Sequence, residues 1–109
     1  MANTFKLKTK ANVGVTTVGI YTAPAATTTV VIGITMANTS GSGVNVGVGI
    51  TRAGTTEDIK LLKNAPLPQG SSLEFMAGNK VVLEATDTIT VDSDANNSVD
   101  TALTIMEIT

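Results

Sequence analysis

Val30-Val-Ile-Gly-Ile-Thr-Met36 and Val44-Asn-Val-Gly-Val-Gly-Ile50 decide the fold class of this chain. Val30, Ile32, Ile34 and Met36 fall on one face of an extended segment. Val44, Val46, Val48 and Ile50 do the same on a second one. A period of two, carried by β-branched residues, marks half-buried strands. The link between them, Ala37-Asn-Thr-Ser-Gly-Ser-Gly43, is rich in turn formers. The two runs therefore read as the clearest hairpin in the chain. Gly47 and Gly49 share a strand face with Asn45 and Thr51, and Gly33, Thr35 and Ala37 occupy the matching face of the expected partner. Glycine inside a strand often marks close approach by another backbone. Such a flat, nearly side-chain-free surface is either a packing face for a neighbouring subunit or a layer covered by the chain's own loops or Tyr21.

The same period extends outward. Phe5-Lys-Leu-Lys-Thr-Lys10 alternates, with Phe5 and Leu7 expected to face the core and Lys6, Lys8 and Lys10 the solvent. Val18 and Ile20 mark a second strand, ended near Pro24. In Thr55-Thr-Glu-Asp-Ile-Lys-Leu-Leu-Lys63 a helical turn competes with a strand over Ile59–Leu62, and the strand is preferred. Asn64-Ala-Pro-Leu-Pro-Gln-Gly70 reads as a loop and Ala77-Gly-Asn79 as a turn. Strands follow at Leu73 and Phe75, Val81 and Leu83, Ile89 and Val91, and from Val99 to Ile108 with Val99, Leu103 and Ile105 inward. About eight short strands separated by turn signals predict an all-β, antiparallel β-sandwich, with a jelly roll as one form. Residues 1–109 are expected to form a single domain.

Composition narrows the function. Hydrophobic residues make up 42% and charged residues 15%, too apolar and too weakly charged for a disordered chain. There is no His and no Cys, which removes the commonest general base, the usual transition-metal ligand and any disulfide. Nucleophilic catalysis needs a nucleophile with an activating base, and no recognisable arrangement supplies one, so the chain is not expected to be an enzyme. The polar, basic start does not read as a signal peptide, and no apolar run approaches the ~20 residues that span a bilayer. A soluble protein made without a secretion signal, and no membrane partner, are expected.

Charge is unevenly spread. Residues 1–54 hold Lys6, Lys8, Lys10 and Arg52 and no acid, whereas residues 55–109 hold three lysines and all nine acids, giving +4 and −6. Such a split suits head-to-tail contact between copies; alternatively the three lysines solvate one strand. Lysines on an edge strand also block unwanted edge pairing. Without interleaved aromatics they do not form a nucleic-acid stripe. Asp92-Ser-Asp-Ala-Asn-Asn-Ser-Val-Asp100 has the alternate spacing of a calcium loop. Asn97 stands where such loops need Gly, and Leu103 where they need Glu. A polar turn is the competing reading, and no cofactor is assigned. The candidate interaction residues are therefore Lys6, Lys8, Lys10, Gly47, Gly49, Asp92, Asp94 and Asp100.

Several stretches together resemble the small virion structural proteins of tailed bacteriophages, in particular head decoration or cement proteins. They are the start Met1-Ala-Asn-Thr-Phe-Lys6, the step Tyr21-Thr-Ala-Pro24 into Thr27–Thr35, and the turn Ala37-Asn-Thr-Ser-Gly41. Pro66-Leu-Pro-Gln-Gly-Ser-Ser72, Lys80-Val-Val-Leu-Glu-Ala-Thr-Asp-Thr-Ile-Thr-Val91 and Leu103-Thr-Ile-Met-Glu-Ile108 complete the likeness. The resemblance covers nearly the whole chain and implies a role without chemistry: a small homo-oligomer, trimer or dimer, bound to the major capsid protein on the outer capsid surface of the virion. A tail, neck or fibre component would share these features. A carbohydrate-binding module is the rival from another class, although one Tyr and no Trp make a poor sugar platform.

Overall fold

Alternating valines and isoleucines bury one side of each strand, and two such sides must meet. The computed structural model describes residues 3–54, 57–75 and 80–109. It contains nine strands and, among the described residues, no helix: β1 (Asn3–Val13), β2 (Val18–Thr22), β3 (Thr28–Asn38), β4 (Val44–Arg52), β5 (Glu57–Leu67), β6 (Ser72–Phe75), β7 (Val81–Leu83), β8 (Thr88–Ser93) and β9 (Val99–Ile108). Sheet A runs β1-β9-β3-β6, with β7 also paired to β3, and sheet B runs β2-β8-β4-β5.

The pairings are nested. β1 pairs with β9, β2 with β8, β3 with both β6 and β7, and β4 with β5, all antiparallel. The chain is thus one long double strand that turns back at β4–β5, with β6 and β7 as two pieces of a single arm. Rolling this ribbon up adds the pairs β3–β9 and β4–β8. An antiparallel double sheet wound in this way is a jelly roll.

The core lies between the sheets. Val31, Ile34, Met36, Leu83, Leu103 and Ile105 of sheet A face Val46, Val48, Ile89 and Val91 of sheet B, all with almost no exposed surface. β9 follows its expected course: Val99, Leu103 and Ile105 are buried, with Ala102, Thr104 and Met106 on the other side.

Several expectations are corrected. The first is the hairpin: β3 and β4 are not paired, because β3 lies in sheet A and β4 in sheet B. Their buried faces oppose each other across the core instead of lying side by side, and residues 39–43 arch from one sheet to the other. Alternation looks the same in both arrangements, so it cannot tell a paired strand from a facing one. Asn38 fixes the arch. Its Nδ2 donates to the carbonyls of Ser42 (2.9 Å) and Leu67 (3.0 Å), while Oδ1 accepts from Ser40 N (2.9 Å) and Ser40 Oγ (2.7 Å).

The second correction concerns β1. Lys6, Lys8 and Lys10 pair with the inward residues Ile105, Leu103 and Thr101, so they share the core-side face, and Phe5 and Leu7 lie on the outer one, 68% and 65% exposed. β1 is an edge strand that sheet B only partly underlies, which leaves room for long lysine stems to reach solvent. A bulge at Ile32 and Gly33 likewise puts Val30 and Ile32 outside while Ile34 and Met36 point in.

The third correction is the loop expected over 64–70. β5 continues as a strand to Leu67, absorbing Asn64 at a positive φ of 54° and two register shifts against β4. Pro66 is tolerated because β5 is an edge strand. The turn expected at Ala77-Gly78-Asn79 lies outside the described residues.

Candidate interaction surface

Strand register places the outer face of sheet A residue by residue. Phe5 sits opposite Met106, Met106 opposite Val30, and Val30 opposite Val82, so one apolar row crosses four strands. Leu7 flanks it on β1. Phe5, Leu7 and Val82 (54% exposed) are three of the five large apolar side chains left exposed among the described residues. Further along the strands, Thr9, Ala102, Thr35 and Glu74 form a parallel row, followed by Asp100, Ala37 and Ser72. Apart from Glu74 these are short side chains, and two adjoining hollows of about 280 and 350 Å³ open among them. The face therefore has a raised apolar end and a recessed end of small residues. Monomeric proteins rarely leave an extended apolar patch uncovered unless it binds something.

Gly33, Thr35 and Ala37 belong to this outer face of sheet A, whereas Gly47 and Gly49 belong to that of sheet B, so the structure does not bring the two groups together. Gly47 and Gly49 are buried. Gly47 is opposite Asp92 and Gly49 opposite Thr90. A Cβ on Gly49 would stand 2.8 Å from the Ile59 carbonyl and 3.1 Å from Thr90 Oγ1; one on Gly47 would meet the Asp92 carboxylate and, at 3.2 Å, the Leu62 carbonyl. The register shifts in β5 push its backbone over β4, and only glycine leaves space for it.

The acidic residues disperse. Asp92 Oδ2 accepts from Thr17 Oγ1 at 3.0 Å and lies 3.9 Å from Lys60 Nζ. Asp94 Oδ1 accepts from Asn45 N at 2.9 Å, and Asp100 Oδ1 from Asn12 N at 3.0 Å. The loop is tied internally by hydroxyls: Ser93 Oγ and Ser98 Oγ are 2.6 Å apart, and each is 2.7 Å from the Ala95 carbonyl. Among the described residues no group of three carboxylates converges on a point.

Of the three N-terminal lysines, Lys6 is engaged. Its Nζ lies 2.9 Å from Glu107 Oε1. The Tyr21 hydroxyl donates to Glu107 Oε2 at 2.5 Å and stands 2.8 Å from Thr29 Oγ1. This chain of contacts links the two sheets through a polar group that composition alone did not single out; the signal available was an acid inside an otherwise apolar alternation on β9. Hydrogen bonds from Tyr21 and Lys6 hold the Glu107 carboxyl below the usual carboxylate range. Burial, reinforced by the bond to Glu107, pushes Tyr21 up to about 12.

The signs of these shifts give a pH prediction. The depressed Glu107 contributes stability above about pH 4.5 that is lost as pH falls through its folded value. The raised Tyr21 contributes stability below pH 10 that is lost between 10 and about 12. Thermal melts across pH should show both arms, and Tyr21→Phe should flatten the alkaline one. An unchanged alkaline arm would show that Tyr21 is not its source.

No protein-family model and no curated sequence matches the chain. Solved structures do. A subunit from the disulfide-linked pili of Bacillus endospore appendages superposes with a TM-score of 0.57 at 16% identity, over 99% of this chain and 87% of that one. A chain of the infectious bursal disease virus particle gives 0.59 at 12% identity over 96% of this chain, and one from the Gx strain of that virus gives 0.56 at 14% over 95%. This chain shares their fold. It spans 30% and 32% of the length of those two viral chains, so the likeness there is to one domain of a larger protein.

Proposed function

We propose that the chain is a viral structural protein, a capsid decoration or cement protein that binds the outer capsid surface and stabilises the shell. The observation that carries this reading is the outer face of sheet A, an extended, weakly charged surface with Phe5, Leu7 and Val82 exposed. A protein built to meet other proteins needs such a face; catalysis does not. The partners are the major capsid protein and copies of the chain itself, and many modest contacts across a shell sum to firm attachment. Lys8 and Lys10, which make no ion pair among the described residues, are available to an acidic neighbour, including Asp92, Asp94 or Asp100 of another copy.

A tail, neck or fibre component is the second reading. It is favoured by the likeness to the pilus subunit, which extends over most of both chains. A carbohydrate-binding module loses its one candidate platform, because Tyr21 is 8% exposed and its hydroxyl is committed to Glu107. Quantitative mass spectrometry of purified virions separates the readings. Copy number comparable with the major capsid protein is the expected result. A few copies per particle would move the chain to the tail or neck, and absence from the particle would overturn the virion assignment.

A further inference from the structure

We propose that the outer face of sheet A pairs with the same face of a second copy, with the apolar row of each chain seated in the recessed end of the other. The proposal rests on the reading of the chain as an assembling subunit and names the surface that does it.

Three observations lead there. The first is area. Ten or eleven residues in each of β1, β9 and β3, with the four of β6 and three of β7, give a face of roughly 600 Å² at ~3.3 Å rise and ~4.8 Å spacing. Stable interfaces take about 600–1,000 Å² from each partner, so the whole sheet face reaches the lower end of that range, whereas the apolar row alone does not.

The second is shape. In a face-to-face stack of two identical sheets the two-fold axis lies in the plane between them. An axis across the strands exchanges their ends. Phe5 and Met106 of one copy then lie over the hollow that Thr9, Ala102 and Ala37 line in the other, and Val30 and Val82 over the hollow beside Thr35 and Glu74. An axis along the strands would instead set row against row and leave both hollows empty.

The third is charge. The charged residues in the cross-strand rows of this face are Glu74 and Asp100, both at the recessed end. The axis across the strands carries each away from its counterpart and opposite an uncharged row. The axis along the strands brings the acidic ends together, and like charges facing each other at an interface are unfavourable.

The absence of cysteine from the sequence makes the test clean. Sedimentation of the purified chain over rising concentration should show a species of twice the 11.1 kDa chain mass. A Phe5→Lys, Leu7→Lys double variant should stay at the single-chain mass and melt as the wild type does when diluted to the single-chain form, since both side chains are exposed in the isolated chain. Under oxidation, a mixture of Phe5→Cys and Ala102→Cys chains should cross-link in clear excess over Phe5→Cys alone. A wild-type chain that stays monomeric, a three-chain mass, a dimer that survives the lysine variant, or equal cross-linking by Phe5→Cys alone would each overturn the proposal. None of these results bears on copy number in virions, so the two readings fail separately.

Discussion

Leu103→Ala is expected to lower the unfolding free energy by about 3–5 kcal/mol, the upper part of the range for a buried leucine. Leu103 has no exposed surface and lies on β9 between β1 and β3, opposite Lys8 on one side and Ile34 on the other. Sheet B lies across its face. A strand held by ladders on both sides cannot move inward to fill the vacated space, so the cavity term is felt almost in full. With a total stability of roughly 5–15 kcal/mol typical of such domains, the variant would be marginal. Urea titration should show a lower midpoint with an unchanged slope. Leu103→Met, which keeps the volume, should cost less than about 1.5 kcal/mol. A cost for the alanine variant below about 1 kcal/mol would mean that the centre of sheet A repacks freely, contrary to this account.

Asn38→Leu is expected to cost about 2–4 kcal/mol, although it removes no apolar contact. The amide is 6% exposed and uses both donors and its carbonyl. Leucine has a similar size but leaves the Leu67 carbonyl without its donor in a buried setting, and an orphaned buried acceptor costs about 1–3 kcal/mol. Loss of the Ser42 and Ser40 bonds adds to this and frees the arch over residues 39–43. Limited proteolysis should therefore cut the variant within this segment sooner than the wild type. Asn38→Leu with wild-type stability and an equally resistant arch would show that backbone bonds such as Asn38 N to Ser71 O at 2.9 Å hold the crossing without the side chain.

The sequence revealed the strands more readily than their arrangement. Val44, Val46, Val48 and Ile50 declared their buried face through strict alternation, and β9 did so from Val99 to Ile108. Where a bulge inserts a residue the alternation misleads, as at Ile32 and Gly33, because everything before the bulge changes sides. Gly33 was the available clue. Phe5 and Leu7 looked like core because apolar residues alternate with lysines there. That inference holds for a covered strand and inverts for an edge strand that the opposite sheet only partly underlies. The candidate surface could not have been assembled from sequence, since its central row takes Phe5, Val30, Val82 and Met106 from four strands. The nested pairs β1–β9 and β3–β7, together with the β3–β9 pair that rolling adds, bring them into line.

That nesting also dictates timing. Asn3 pairs with Ile108, and β9 is inserted between β1 and β3, so the last of the nine strands in sequence completes the middle of sheet A. Until then β1 and β3 have no common neighbour, and the row that will hold Phe5, Val30 and Met106 together does not exist. Contacts so distant in sequence make for slow folding. They also delay the outer face of sheet A until β9 has docked, so its apolar row is assembled only as the fold closes.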